Sequence, residues 1–243
     1  MATRISVLAR FSDGSFGSFE NESVTEGTAT EILTGGAGLA QVSGGSAGDT
    51  FIGKVMTHGL AKVETADAST GSFCNAYLLA PTGQVLAGIQ GGGDHVSGLP
   101  ALKRPVRMAS GIKIYATWDA VADAATLLAS VVAYYNDGSA DVFTAAGVNN
   151  TKTSMTNLQG ATWGEAGSGK VVLCAYATFA SQYGLNEGNG GNSAFYVESP
   201  EGILKMMYSP AKGSGASDIA APWQEVPVTV NLYDTLSVMA SKS

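Results

Sequence analysis

One segment of this chain occurs twice, and the repetition limits its folds more than any other feature. Ser6-Val-Leu-Ala-Arg-Phe-Ser-Asp-Gly-Ser-Phe-Gly-Ser-Phe19 aligns without gaps on Ser130-Val-Val-Ala-Tyr-Tyr-Asn-Asp-Gly-Ser-Ala-Asp-Val-Phe143. Asp13/Asp137, Gly14/Gly138, Ser15/Ser139 and Phe19/Phe143 are identical. Each copy reads as a strand, an Asp-Gly turn and a second strand, because Asp-Gly supplies the positive φ that a tight hairpin needs. Two more pairs follow in the same order. Tyr77-Leu-Leu-Ala-Pro-Thr-Gly-Gln-Val-Leu resembles Tyr196-Val-Glu-Ser-Pro-Glu-Gly-Ile-Leu, and Lys103-Arg-Pro-Val-Arg-Met resembles Glu225-Val-Pro-Val-Thr-Val. Pro81 and Pro200 preset φ at their turns, and the glycine two residues later relieves the exit. Three matches in register indicate a duplicated unit, with the boundary between residues 120 and 121.

Each half contains about eight short, β-branched or aromatic runs between turn formers, the pattern of a sandwich or barrel. In residues 1–120 the expected strands are 4–11, 16–20, 28–33, 50–58, 72–80, 84–90, 102–108 and 112–118. In residues 121–243 they are 127–136, 141–145, 153–158, 170–180, 193–198, 203–208, 225–232 and 235–240. The fold class expected is all-β: two tandem, similar β-sandwich or jelly-roll barrels produced by internal duplication. Between the halves, the alanines after Asp119 permit a short helix, whereas the hairpin match favours strand in the later part.

Composition narrows the partners. Charged residues make up 14% of the chain, and its 32 glycines follow no period, so a weakly charged, turn-rich surface is expected. The net charge of −7 argues against direct nucleic-acid contact, which needs clustered Lys and Arg. Lys103, Arg104 and Arg107, the densest basic stretch, read as a solvated strand face. The start, Met1-Ala-Thr-Arg-Ile, has no apolar signal core, and no run approaches a membrane span.

The motifs that resemble chemistry have structural explanations. Gly164-Glu-Ala-Gly-Ser-Gly-Lys170 fits seven positions of a phosphate-binding loop, but Val171 stands where Ser or Thr should hold magnesium; a glycine-rich hairpin loop is expected. His95, beside Asp94, has only His58 as a second imidazole, too few for a metal site. Cys74 and Cys174 lie in apolar strands and read as buried thiols. Asp13 and Asp137 are accounted for by turn geometry, and Glu20, Glu22, Glu26 and Glu31 by a solvated edge. The sequons at Asn21 and Asn149 matter only after export. Trp118, Trp163 and Trp223 are expected in cores, although a sugar-binding sandwich would use one as a stacking platform. The polar loops 184–192 and 213–215 are candidate contact tips. No catalytic, cofactor-binding or metal-binding residue is assigned, and no cofactor. His95, Lys170 and the cysteines have no evident counterpart in the other half.

An acidic, tandemly duplicated β chain carrying the paired hairpins, the Pro81/Pro200 turns and the Pro105/Pro227 segments resembles the double jelly-roll capsid proteins of tailless icosahedral viruses. The resemblance is architectural and spans the chain, although units of about 120 residues are compact for jelly rolls. It implies a structural, non-enzymatic shell protein made in the host cytoplasm and located in the virion. Its partners would be copies of itself, as trimers or larger symmetric assemblies, and other virion proteins. A pair of Ig-like modules, or a carbohydrate-binding sandwich on a surface or adhesion protein, is the alternative.

Overall fold

Alternation along Arg4–Phe11 sends Ile5, Val7, Ala9 and Phe11 inward and leaves Leu8 and Arg10 outside, the two-residue period of a half-buried strand. In the computed structural model, nearly every expected run becomes such a strand. The structure describes residues 3–25, 27–35, 44–64, 72–92, 99–120, 126–148, 151–181, 191–208, 219–220 and 224–242. Among the described residues the structure is all-β apart from two single-turn helices, and the chain divides into two compact units, 1–120 and 121–243.

The first unit contains β1 (Arg4–Phe11), β2 (Phe16–Asn21), β3 (Thr30–Thr34), α1 (Ala47–Thr50), β4 (Val55–Glu64), β5 (Ser72–Leu79), β6 (Val85–Gly92), β7 (Ala101–Arg107) and β8 (Lys113–Ala120). β1 pairs antiparallel with β2 and β4, β2 with β3, β3 with β8, β8 with β5, and β5 with β6. β6 then runs parallel to β4 from Leu60↔Gln90 to Lys62↔Gly92, closing a barrel-like circuit. β7 pairs with the beginning of β4. Gly91 permits the closure, since a Cβ there would overlap the Cys74 carbonyl.

The second unit contains β9 (Thr126–Tyr135), β10 (Ala140–Val148), β11 (Thr153–Ser154), β12 (Thr156–Asn157), α2 (Trp163–Gly167), β13 (Val171–Ser181), β14 (Gly191–Glu198), β15 (Leu204–Tyr208), β16 (Ile219–Ala220), β17 (Gln224–Thr229) and β18 (Thr235–Lys242). β9 pairs with β10 and β13, β13 with β17, β10 with β12, β11 with β18, β18 with β14, and β14 with β15. This order matches the first unit once β11 and β12 are taken as β3 interrupted at Met155. β16, paired with β13, is an addition. The parallel closure of β4 on β6 has no equivalent among the described residues of the second unit.

Turns repeat as well as strands. Gly48 N–H donates to the Ile112 carbonyl and Gly164 N–H to the Asp234 carbonyl. Gly53 N–H donates to Met108 O and Gly169 N–H to Val230 O. These bonds tie each short helix and its exit to the segment before the last strand. They also correct two sequence expectations. The strand expected over 50–58 begins only at Val55, because 47–50 form α1; and 164–170, expected as a hairpin loop, contains most of α2. Thr162 and Glu165 form a capping box at α2, a signal that outweighs the glycines around it. The helix permitted after Asp119 does not begin there, because β8 continues to Ala120; residues 121–125 lie outside the described residues.

The cores share this frame but fill it differently. In the first unit Phe51, just after α1, stacks on Phe11 with centroids 4.5 Å apart and meets Phe19 edge-on at 5.6 Å. The position equivalent to Phe51 in the second unit is Gly167, and the one equivalent to Ala47 is Trp163. Trp163 is fully buried and packs on Phe143 at 5.1 Å. One large ring thus enters each core from the same helix face, four residues apart.

At Gly48 and Gly164 a Cβ would penetrate the backbone oxygens of Ala109 and Leu232. Gly48→Ala and Gly164→Ala should each destabilise the protein by roughly 2–4 kcal/mol. Urea unfolding of the full chain measures this, and a loss below about 0.5 kcal/mol would contradict the contact.

Candidate functional site

The most organised polar clusters are the two Asp-Gly-Ser turns, each joined to a lysine. Gly14 and Gly138 take φ of 83° and 88°, which glycine adopts without steric cost. In the first unit the Ser15 amide and hydroxyl donate to Asp13 Oδ1 at 3.0 and 2.6 Å. Lys54 Nζ lies 2.8 Å from Asp13 Oδ2, donates to Ser15 Oγ at 2.6 Å, and sits 5.7 Å from the Phe11 ring centroid. In the second unit Ser139 donates to Asp137 Oδ1 at 2.8 and 2.6 Å. Lys170 Nζ reaches Ser139 Oγ at 2.9 Å and Asp137 Oδ2 at 3.2 Å, and lies 4.8 Å from the Tyr135 ring centroid.

Lys170 therefore does have a counterpart, Lys54, contrary to the sequence expectation. The signal was present as Gly53-Lys54-Val55 and Gly169-Lys170-Val171, a triplet that the phosphate-loop pattern obscured. A serine–lysine dyad would need an amine free to accept the serine proton. Here each nitrogen donates to the serine oxygen and a carboxylate together, so the cluster is a staple between the hairpin and the strand entry.

The carboxylates respond to these bonds. Lys54 and then Ser15 hold Asp13 well below the usual carboxylate range. The hydroxyl and amide of Ser139, with a smaller contribution from Lys170, lower Asp137 from 3.8 to about 2.

The remaining candidates are dispersed. His58, on β4, is half-buried with Nδ1 2.9 Å from Thr57 Oγ1; His95 lies outside the described residues. Cys74 and Cys174 are buried thiols that are not joined in a disulfide. Lys103, Arg104 and Arg107 lie on β7, with Lys103 and Arg107 exposed. Glu20 pairs with Arg4 and Glu31 with Lys113, while Glu22 is exposed and Glu26 is not described. Glu20, Asn21, Glu22, Leu33 and Thr34 line a shallow cavity of about 340 Å³. Asn21 Nδ2 donates to Glu31 O, and its Oδ1 accepts the Ser23 amide; Asn149 is not described. Trp118 is buried with Nε1 donating to Val24 O at 3.0 Å, Trp163 is a core residue, and Trp223 lies outside the described residues. So do 213–215 and most of 184–192, whose last two residues open β14.

Sequence reasoning missed one buried ion pair. Asp234 is enclosed, with Oδ2 accepting Lys205 Nζ at 2.6 Å and the Asn231 amide at 2.8 Å. Nothing in the local pattern marks two residues 29 positions apart as partners. Among the described residues no group of three or more His, Cys, Asp or Glu is arranged to hold a metal ion. No described helix is long and apolar enough to cross a membrane. Neither a protein-family model, nor a curated protein, nor a solved structure matches the chain.

A carboxylate lowered by folding contributes stability that is complete above its ordinary value and lost as pH falls through its folded value. For Asp137 that window runs from 3.8 down to about 2. In an NMR titration Asp137 should have its midpoint near the lower limit. Ser139→Ala should raise that midpoint more than Lys170→Met, whereas at Asp13 the lysine variant Lys54→Met should have the larger effect. Ordinary midpoints at both aspartates would contradict the staples.

Proposed function

We propose that this chain is a self-assembling structural protein of a virion shell, of double jelly-roll type, whose two barrels arose by duplication of one unit. The observation that carries this reading is the repeated scaffold. Strand order, helix position, glycine contacts and lysine staples recur, and the polar clusters described, the two Asp-Ser-Lys staples and the Lys205–Asp234 pair, are bonded as structural ties. What is common to the halves is framework, and a framework presented twice per chain suits a subunit that makes many similar contacts.

Surface chemistry supports the same reading. With 14% charged residues, broad surfaces can be covered at small desolvation cost. The net charge of −7 suits a shell that leaves the genome to other components. In this reading three chains form a capsomer presenting six similar barrels. The partners are further copies and other virion proteins, the location is the virion, and no catalysis or cofactor is involved. In the first unit, the parallel closure of β6 on β4 supports a barrel over the Ig-like alternative, whose two sheets pack face to face without closing.

Negative-stain imaging and light scattering of the purified full chain test this. Trimers or larger closed assemblies are the expected species. Extended monomers at high concentration would contradict the shell and favour the adhesion module; a glycan-array signal abolished by replacing one tryptophan would favour a lectin.

A further inference from the structure

The two units differ sharply at one end of the β14–β15–β18 sheet. Ile203 and Leu204, where β15 begins, are 64% and 48% exposed, and Leu232 and Tyr233, just before β18, are 47% and 73% exposed. Register brings these pairs together. Glu198 of β14 faces Leu204 on one side and Thr235 on the other, so both turns emerge at the same sheet end. Lys205 fastens them, with Nζ 2.6 Å from Asp234 Oδ2 and 3.4 Å from Thr229 O.

The fold does not require these side chains. Ser199 N–H donates to Ile203 O as Ala80 N–H does to Gln84 O, and Asp234 N–H to Asn231 O as Ile112 N–H does to Ala109 O. The first-unit counterparts are therefore Gln84, Val85, Ser110 and Gly111, of which the one large apolar residue, Val85, is buried. The same pair of turns closes there with only Pro81 as an exposed apolar side chain, matched by the exposed Pro200 of the second unit.

We propose that Ile203, Leu204, Leu232 and Tyr233 form a self-association patch that meets the same patch on a second copy of this chain across a two-fold axis. Two arguments favour a second copy. Lys205 and Asp234 pair beneath the patch and bring no unpaired charge to its centre, and Lys205 also offsets the exposed Glu201 of the adjoining turn, which reduces like-charge repulsion between two copies of an acidic chain. The four side chains expose on the order of 450 Å², so a pair buries about 900 Å² through them, and a polar rim brings this to the ~1,000 Å² that a specific interface needs. A two-fold contact is self-complementary and needs no second binding surface. The proposal deepens the shell reading and rests on it, since it supplies one of the contacts by which shell subunits would join.

Sedimentation velocity of the full chain over a range of concentrations tests it, comparing wild type with Leu232→Ser/Tyr233→Ser and, separately, Ile203→Gln. The last substitution installs the residue that the first unit carries at that position, so it decides the matter if the double variant fails to fold. The expected result is concentration-dependent self-association of wild type, weakened roughly tenfold or more in folded variants whose unfolding midpoints stay close to wild type. Undiminished association in the folded variants would overturn the patch while leaving the shell reading intact. A strictly monomeric wild type would overturn both. Wild type that stays monomeric yet floats with phosphatidylcholine vesicles, in a manner lost in Leu232→Ser/Tyr233→Ser, would assign the patch to lipid and overturn its assignment to a second copy.

Discussion

A backbone-on-backbone contact at one glycine governs each unit. At Gly48 and at Gly164 the start of a single-turn helix lies directly on the segment preceding the last strand, with the glycine N–H donating to its carbonyl. No side chain fits between. Because the helix leads through Gly53 or Gly169 into the strand that pairs with the opening hairpin, this contact holds together parts of the chain more than sixty residues apart. The lysine that follows each exit glycine then reaches back to the Asp-Gly-Ser turn. Contact, exit and staple form one continuous arrangement, and it occurs twice.

Around that arrangement the side chains of the two units differ in compensating ways. Phe51 fills the first core where the second has Gly167, with Tyr135 and Val230 packed against it, and Trp163 fills the second where the first has Ala47. Close packing tolerates such exchanges when total volume is conserved and penalises single changes. Surface positions carry less of this constraint. Gln84 and Ser110 in one unit answer to Ile203 and Leu232 in the other, while Gly111, held at φ 79° against Pro81, answers to Tyr233; the difference alters what the surface can meet and keeps the turns' backbone hydrogen bonds.

The strands were legible because their signals are local. Alternation in Arg4–Phe11, the Asp-Gly turns and the Pro-x-Gly turns each depend on a few consecutive residues. α1 and α2 were not legible as helices. Ala47–Thr50 and Trp163–Gly167 are single turns, too short to stand on propensity, and each is held by its tertiary contact, with the capping box of Thr162 and Glu165 marking only the start of α2. The phosphate-loop pattern at 164–170 drew attention to the right lysine for the wrong reason, since its partner is the aspartate of a hairpin and its true signature is the repeated Gly-Lys-Val. Asp234 and Lys205 were invisible because their pairing depends on how two turns meet at a sheet end. The apolar patch consists of ordinary residues in sequence, and only their exposure distinguishes them.

Amide hydrogen exchange on the intact chain tests the repeated scaffold most directly. The N–H groups of Gly48 and Gly164, Gly53 and Gly169, and Met108 and Val230 all donate to backbone carbonyls within the same arrangement. The account predicts strong protection at both members of each pair, comparable to the central strands and well above that of exposed turns. Rapid exchange at Gly48 and Gly53, or at Gly164 and Gly169, would show that one unit lacks the contact and would contradict a shared scaffold.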